Sequence, residues 1–190
     1  RVPKARNGML IVLLMGLAHF CAYSYLAPFF KHIAGFDGTT ISSLLLLYGI
    51  AGVFGNAFAG YSGNLNIRYT MAFVGVCFAV VFFSFPVFAI HEVGAMILTA
   101  LWGFAFGAFP TSANIWMFVH APKAVEKGMP LFVGMFQVMI ATGSLIGGYV
   151  VDHFNENILI YGVLNFVVLA LIGLFTLVKG LSNPKLHCEQ

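Results

Sequence analysis

Six stretches without a charged residue make up most of the chain. They cover residues 7–30, 38–67, 69–90, 93–119, 128–151 and 157–178. A helix of about 20 apolar residues spans the roughly 30 Å hydrocarbon layer of a bilayer, whereas transmembrane strands are about ten residues long and alternate in polarity. The pattern predicts an all-α integral membrane protein with six transmembrane helices. We expect these helices at about 8–30, 39–61, 69–90, 94–118, 129–151 and 157–179.

Composition and the placement of charge favour the same class of protein. The chain is 61% hydrophobic and 8% charged, which is too little charge to keep a soluble domain of 190 residues dissolved. Eight of the nine basic residues flank the predicted helices on one side: Arg1, Lys4, Arg6, Arg68, Lys123, Lys127, Lys179 and Lys185. This bias predicts cytoplasmic termini, with residues 1–7 as a leader and 181–190 as a tail, in a bacterial inner membrane. Since the net charge of +3 follows from this sorting, no nucleic-acid partner is expected.

Two of the helices share a pattern that indicates an internal repeat. Residues 55–61 and 143–149 both read Gly, four residues, then Gly-Tyr, at an offset of 88, and the same offset carries Arg68 onto Glu156. Helices one to three and four to six are therefore predicted to be two copies of a three-helix unit. Because three is odd, the second copy enters the membrane from the opposite side, which gives a 3+3 inverted repeat of the kind common in secondary transporters.

Small residues inside the predicted helices provide close packing faces. In lipid, helices associate through close backbone contact at small residues, and Gly103-x3-Gly107 and Gly143-x3-Gly147 have the required spacing. Such faces serve static packing or let helices rock during a conformational cycle, and Pro110 predicts a kink inside the fourth helix. The residues expected to serve conformational change are Gly55, Asn56, Gly60, Arg68, Pro110, Gly143, Gly147 and Gly148.

Five short segments carry a resemblance to a known family. They read FCAYSYLAPF at 20–29, AGF at 34–36, GN-x3-G at 55–60, NIRY at 66–69 and TGSLIGG at 142–148. With them the chain resembles, from about residue 7 to 180, the C-terminal six-helix half of a major facilitator superfamily transporter. The nearest branch is that of the arabinose or sugar efflux permeases, in the drug:proton antiporter-like family. Gly60 and Arg68 match the cytoplasmic signature of the superfamily, but Gly63 and Asn64 stand where charged residues are expected, which weakens a charge-relay gate there.

The resemblance implies a fold of twelve helices in two halves. We therefore expect this chain to be a fragment that lacks the N-terminal six-helix half, with a complete protein that pairs with a second copy as the alternative. It further implies a secondary active transporter that exports a small organic solute, sugar-like or drug-like, in exchange for protons by alternating access. Arg68 would pair with backbone carbonyls at a helix end or serve only as a positive-inside anchor.

Polar residues inside the spans are candidates for solute binding, since such groups are costly in lipid without a partner. His19 lies near the middle of the first helix, and Tyr23 follows one turn later on the same face. A histidine there could bind solute or handle protons, or it could be a neutral core residue bonded to a neighbouring helix. We expect solute contacts at His19, Tyr23, Tyr25, Asn114 and Gln137.

The intramembrane amides suit a polyol or sugar-like ligand because they both donate and accept hydrogen bonds, although they also hold helices together. They are Asn56, Asn114, Gln137 and Asn165. The resemblance implies that the first, second, fourth and fifth helices line the cavity, which favours Asn114 and Gln137 over Asn165. No carboxylate lies in any span, so we expect this half to shape the cavity and the absent half to couple to protons.

Shorter signals bear on other functions. Residues 60–63 spell the GxSG of six-helix intramembrane serine proteases, but the last helix has no histidine to activate Ser62, and His153 is expected at the opposite face. A channel would need a constriction ring or filter motif, and none is visible. The three cysteines form no CxxC or Cys/His spacing, so no metal or cofactor is expected. We expect a transporter and not an enzyme.

Overall fold

The computed structural model describes residues 3–120 and 125–177, and all regular structure in these ranges is helical. The elements are α1 (Pro3–Tyr23), α2 (Leu26–His32), α3 (Gly38–Phe88), α4 (Glu92–His120), α5 (Val125–His153) and α6 (Glu156–Leu177). Five stretches are long and apolar enough to cross a membrane: Asn7–His32, Gly38–Phe88, Glu92–His120, Phe132–His153 and Ile158–Thr176. The protein is therefore all-helical with long apolar helices suited to a bilayer, as the sequence predicted. The predicted tail at 181–190 and the flanking residues Arg1, Lys123, Lys179 and Lys185 lie outside the described residues.

The first predicted span is not one continuous helix. α1 ends at Tyr23, and α2 begins at Leu26 after a short turn. In that turn Ser24 Oγ donates to the carbonyl oxygen of Phe20 (3.0 Å) and also lies 2.7 Å from Ser144 Oγ of α5. A serine hydroxyl that bonds to nearby backbone competes with regular helix geometry, and the bond to α5 holds the interruption in place.

α3 is 51 residues long and breaks at Asn66 into a first segment, 38–65, and a second segment, 67–88. The backbone of Asn66 is extended (φ −159°, ψ 97°). Its side-chain oxygen accepts hydrogen bonds from the backbone N–H groups of Arg68 (3.2 Å) and Tyr69 (3.4 Å). These are the bonds of a helix N-cap, where asparagine is among the preferred residues. The loop predicted between the second and third helices thus contracts to one capping residue.

The chain reverses direction at this break. In a straight helix, which rises about 1.5 Å per residue, Phe58 and Phe73 would lie roughly 22 Å apart, yet their ring centroids are 5.3 Å apart. The ring of Trp102 likewise contacts both Tyr48 (6.3 Å) and Phe82 (5.2 Å), which a straight α3 would hold roughly 50 Å apart. α3 is therefore a helical hairpin whose two segments pack beside each other and against α4.

The first segment of α3 runs parallel to α4. Gly52 lies against Gly107, and one turn further along both helices the hydroxyl of Thr111 donates to the side-chain oxygen of Asn56. A Cβ atom placed on Gly107 would overlap the carbonyl oxygen of Gly52. The two backbones are therefore in direct contact, which is the close approach that small residues permit in membrane helices.

α1 and α5 form a second parallel pair. A Cβ on Gly143 would lie 2.9 Å from Cβ of Phe20, and a Cβ on Gly148 would lie 2.6 Å from the hydroxyl oxygen of Tyr25. Residue numbers rise together along the two helices, as they do along the first segment of α3 and α4. Both close pairs place glycines of one helix against the other helix.

α1 and α4 pack antiparallel at the centre of the bundle. Near the start of α1, Gly8 lies against the indole of Trp116, and near its end His19 lies against Trp102. Residue numbers therefore increase along α1 in the direction in which they decrease along α4. This central contact brings the polar residues of α1 against the aromatic residues of α4.

The loops carry specific end signals for the helices that follow. Gly35 has a positive φ of 71°, which glycine adopts without strain, and Asp37 caps α3 by accepting from the backbone N–H of Thr40 (2.9 Å). Hydrogen bonds from the Thr40 side chain and backbone hold the pKa of Asp37 below its usual range. Asn155 caps α6 in the same way, since its side-chain oxygen accepts from the N–H of Ile158 (2.9 Å).

Candidate functional site

His19 is fully buried where α1 crosses α4. The indole Nε1 of Trp102 donates a hydrogen bond to Nδ1 of His19 (3.1 Å). Because an indole N–H only donates, Nδ1 must present its lone pair, and a neutral His19 carries its proton on Nε2. That Nε2 atom is buried without a hydrogen-bond partner in the described part of the chain. One nitrogen of His19 therefore bonds to a neighbouring helix, while the other remains an unsatisfied donor.

The His19 ring contacts Tyr23 and Phe106, and both of these contact Tyr48. We call these four rings the aromatic cluster: His19, Tyr23, Tyr48 and Phe106. The centroid distances form a closed loop, at 5.4 Å for His19–Tyr23, 5.1 Å for Tyr23–Tyr48, 6.1 Å for Tyr48–Phe106 and 3.9 Å for Phe106–His19. Tyr48 is buried and its hydroxyl has no partner among the described residues, whereas Tyr23 is 38% exposed. The cluster thus holds two unsatisfied polar atoms beneath one exposed ring.

The predicted amides lie in different environments. Asn56 is bonded to Thr111 across the α3–α4 contact, and Gln137 is exposed on α5. Asn114 is half-buried on α4, and its side-chain oxygen is buried without a partner in the ranges described. Asn165 donates to the carbonyl of Tyr161 on its own helix (3.2 Å), which satisfies the amide without any other helix. Asn114 is thus the amide with an acceptor to spare, and its helix also carries Trp102.

Tyr25 lies in the turn after α1 and bonds to α5. It takes part in none of the ring contacts given above for the aromatic cluster. Its hydroxyl donates to the carbonyl oxygen of Ser144 (3.3 Å), and its ring would lie 2.7 Å from a Cβ on Gly147. Gly143 and Gly148 lie in the same contact. The predicted solute residue Tyr25 and these three predicted conformational residues therefore meet at one helix crossing.

The remaining glycines predicted to serve conformational change separate into two kinds. A Cβ on Gly55 would overlap the backbone carbonyl of Phe104, and one on Gly103 would overlap that of Tyr48, whereas Gly60 has open space around its Cβ position. Gly55 is therefore needed for the close approach of α3 and α4, and Gly60 is not. Pro110 lies inside α4, which remains a single helical element across it.

Arg68 lies at the start of the second segment of α3 and contacts the end of α6. Its Nη2 donates to the carbonyl oxygen of Phe175 (3.4 Å), and its guanidinium carbon lies 5.7 Å from the centroid of that ring. Further along, Gly75 lies against Leu171, so the second segment and α6 are antiparallel. A cation at the last carbonyls of a helix is favourable, and this geometry supports the carbonyl-pairing interpretation of Arg68.

Ser62 of the GxSG sequence lies within a continuous stretch of the first segment of α3. Its hydroxyl donates to the carbonyl oxygen of Phe58 one turn earlier (2.8 Å). This is the local back-bonding typical of serine inside a helix. The hydroxyl of a catalytic serine instead needs an adjacent general base, and the helix geometry alone explains the bond that Ser62 makes.

Sequence reasoning missed two residues of this region, Tyr48 and Phe106, and it also missed the capping role of Asn66 at the break in α3. Tyr48 could have been found by the same argument that singled out His19, because its hydroxyl is a polar group inside a predicted span. Phe106 carries no such signal, since it is one of 21 phenylalanines. The capping role of Asn66 depends on the turn at which the hairpin folds back.

No protein-family model matches the chain. In the part of the chain that the structure describes, no group of three His, Cys, Asp or Glu side chains is placed to hold a metal ion. What can be said of function therefore rests on the helix contacts, the aromatic cluster and the residues of the resemblance described above.

Proposed function

We propose that this chain is one six-helix half of a secondary transporter of the major facilitator type, in a bacterial inner membrane. The two segments of α3 count as separate spans in this proposal, so α1 with α2, the two segments, α4, α5 and α6 make six. A second six-helix half, or a second copy, completes the transporter. The two halves rock about a midplane site and expose it to each side in turn.

The observation that carries the proposal is that corresponding helices in the two sets of three make corresponding contacts. In the proposed repeat α1 is equivalent to α4, and α5 is equivalent to the first segment of α3. The contact between the first segment of α3 and α4 is therefore equivalent to the contact between α5 and α1. Both contacts are parallel and glycine-lined. Gly55 and Gly143, which stand 88 residues apart, face Phe104 and Phe20 respectively. Each glycine of the pair found in the sequence thus lies in a close contact between two parallel helices.

Three further features support an inverted 3+3 repeat. α1 and α4, which are equivalent in the proposed repeat, pack antiparallel, as an inverted repeat requires. Asn66 and Asn155 cap the third and sixth spans by accepting from backbone N–H groups two or three residues later. The third and sixth spans also pack against each other through Arg68 and Phe175. These two spans are equivalent in the two proposed copies, so a symmetric repeat brings them together.

The chemistry of the candidate site favours an uncharged organic solute, sugar-like or drug-like. Hydroxyl, amide and neutral imidazole groups bind such a molecule through hydrogen bonds, and rings pack against its apolar faces. Because the six uncharged stretches of the sequence contain no carboxylate, and Glu92 and Asp152 lie at the ends of their helices, proton coupling for efflux is assigned to the other half. His19, which accepts a hydrogen bond from Trp102, is assigned to solute binding and not to proton coupling.

Cysteine labelling tests the number of spans. In a chain whose native cysteines are replaced by alanine, Asp37→Cys and Glu92→Cys should both react with an impermeant maleimide added outside intact spheroplasts. Asn64→Cys should react only after the membrane is opened. If α3 crossed the bilayer once, Asp37→Cys and Glu92→Cys would label from opposite sides, and the six-span proposal would be wrong.

Counterflow in proteoliposomes tests the transporter class. Vesicles that hold the chain, together with its second half when that is identified, should accumulate labelled solute against an excess of unlabelled solute inside. A channel dissipates the gradient without saturation or counterflow. Ser62→Ala should leave counterflow unchanged, and a proteolytic activity that Ser62→Ala abolishes would instead favour the protease alternative.

A further inference from the structure

Two unsatisfied donors belong to rings of the aromatic cluster. Nε2 of His19 and the hydroxyl of Tyr48 are both buried without a partner in the described residues. The two rings share their neighbours, since each contacts Tyr23, Phe106 and Trp102. A buried polar group without a partner is costly, so two such groups on rings that share three neighbours indicate a ligand that satisfies them.

Trp102 determines what that group must be. Its N–H donates to Nδ1 of His19, which leaves a neutral imidazole with an N–H at Nε2. The Tyr48 hydroxyl also has a hydrogen to donate. Two buried donors whose rings share three neighbours favour an acceptor oxygen, such as a hydroxyl, ether or carbonyl oxygen, and disfavour a cation that has only hydrogen atoms to offer.

Tyr23 covers the two donors from the exposed side. It contacts the rings of both His19 (5.4 Å) and Tyr48 (5.1 Å) and is itself 38% exposed. His19 and Tyr48 are 0% and 6% exposed. A turn of the Tyr23 side chain therefore opens the cluster and leaves an aromatic face against which a ligand ring can pack.

We infer that His19 Nε2–H and the Tyr48 hydroxyl form a donor pair that binds an acceptor oxygen of an uncharged, ring-bearing ligand. Trp102 acts as a positioning residue that fixes the histidine tautomer, and Tyr23 is the ring that moves. The inference rests on the proposed function, which it deepens by naming the donor pair and the class of ligand.

Substitutions at the two donors separate binding from packing. Tyr48→Phe removes only an unpartnered hydroxyl, so it should leave the melting temperature unchanged or raise it, while ligand binding weakens. Tyr61→Phe is the matched control, because Tyr61 is 73% exposed. His19→Asn keeps an acceptor near the Nδ1 position for Trp102 but loses the distal donor, whereas His19→Gln can place an amide N–H near the Nε2 position.

Quenching of Trp102 fluorescence measures binding directly. The probe is p-nitrophenyl β-D-xylopyranoside, an uncharged ring with acceptor oxygens, whose nitrophenyl group absorbs indole emission. The full chain is placed in lipid nanodiscs, since sugar-based detergents would compete. Trp116→Phe leaves Trp102 as the single tryptophan; if that variant does not fold, the unmodified chain gives the same titration with a constant background from Trp116.

The inference predicts saturable quenching that methyl β-D-xylopyranoside competes away and tetraphenylphosphonium, a cation without acceptors, does not. Tyr48→Phe and His19→Asn should each raise Kd about tenfold, as loss of one hydrogen bond in a desolvated site does, while Tyr61→Phe and His19→Gln stay within about threefold. Absence of saturable quenching, preference for the cation, or an unchanged Kd in Tyr48→Phe would overturn it. Because counterflow is measured separately, these results leave the transporter proposal standing or falling on its own test.

Discussion

The two glycine-lined contacts of the bundle differ in what their glycines meet. Between α3 and α4, a Cβ on Gly103 or Gly107 would overlap main-chain atoms of the facing helix. Between α1 and α5, a Cβ on Gly148 would lie 2.6 Å from the hydroxyl of Tyr25, whereas one on Gly147 would lie 2.7 Å from the Tyr25 ring and 2.8 Å from the backbone carbonyl oxygen of Cys21. A backbone cannot yield unless the whole helix moves, but a side chain can change rotamer. Backbone therefore limits the approach of α3 and α4, which we call the rigid contact, whereas at Gly148 the Tyr25 side chain limits the approach of α1 and α5, which we call the adjustable contact.

Other features of the α1–α5 contact agree with this difference. The helix of α1 is interrupted at Ser24, and Ser24 bonds to Ser144 of α5 (2.7 Å). Across the α3–α4 contact the hydroxyl of Thr111 donates to the side-chain oxygen of Asn56, and a Cβ on Gly103 or Gly107 would overlap backbone. The comparison indicates that the α3–α4 contact fixes the bundle while the α1–α5 contact accommodates movement, and substitutions can test each contact.

The largest effect is expected at the rigid contact. Gly107→Ala forces a methyl group into the carbonyl oxygen of Gly52, so α3 and α4 must separate, at a cost of about 3 kcal/mol or more. Thermal unfolding in nanodiscs, followed by tryptophan fluorescence, should show a much lower melting temperature. Gly60→Ala is the control, because its Cβ position is open. Equal melting temperatures for the two variants would show that the α3–α4 contact is not rigid.

A smaller effect is expected at the adjustable contact. Gly148→Ala displaces the hydroxyl of Tyr25 and breaks its bond to the Ser144 carbonyl oxygen (3.3 Å), at a cost of about 1 kcal/mol. In a Tyr25→Phe background the same substitution should cost almost nothing, because no hydroxyl remains to displace. A double-mutant cycle measures this coupling. Additive effects of Gly148→Ala and Tyr25→Phe would show that the backbone, and not this side chain, limits the approach of α5.

The sequence was sufficient to predict the long apolar helices but not to predict where each helix begins, breaks and ends. Runs of apolar residues place each span, because length and the absence of charge are local properties. The interruption at Ser24 and the cap at Asn66 escaped prediction, since a serine or asparagine in a helix has either role depending on its neighbours in space. Asn165, for example, lies inside α6 and bonds to a carbonyl of that helix. The residue type alone therefore does not predict where a helix ends.

The candidate site was predictable to the same degree. His19 and Tyr23 were found because residues one turn apart share a helix face. Their partners Trp102, Tyr48 and Phe106 lie on other helices, and which faces meet depends on helix rotation and crossing, for which one sequence gives no local signal. The glycine pattern offered the best long-range signal, because close backbone contact requires small residues at fixed spacing.

The two capping asparagines should respond alike if the halves are equivalent at their ends. Asn66→Ala and Asn155→Ala each remove the acceptor for backbone N–H groups at a helix start, at a cost of about 1 kcal/mol each. Asn165→Ala is the control, since that amide bonds only within its helix. A cost at Asn66 several times that at Asn155 would indicate that the hairpin turn adds a requirement the second half lacks.

The charged cap at Asp37 gives the smallest effect, and pH separates it from the neutral caps. Hydrogen bonds from the Thr40 side chain and backbone lower the pKa of Asp37 below its ordinary 3.8. The ionised carboxylate therefore stabilises α3 above that pH, and the contribution is lost as the pH falls through the lower folded-state value. Asp37→Asn keeps a capping oxygen that does not titrate. The melting temperature of the unmodified chain, minus that of Asp37→Asn, should fall between pH 5 and pH 3, where Asn66→Ala shows no such dependence; a difference that stays constant through this range would show that the carboxylate does not cap α3 in the membrane.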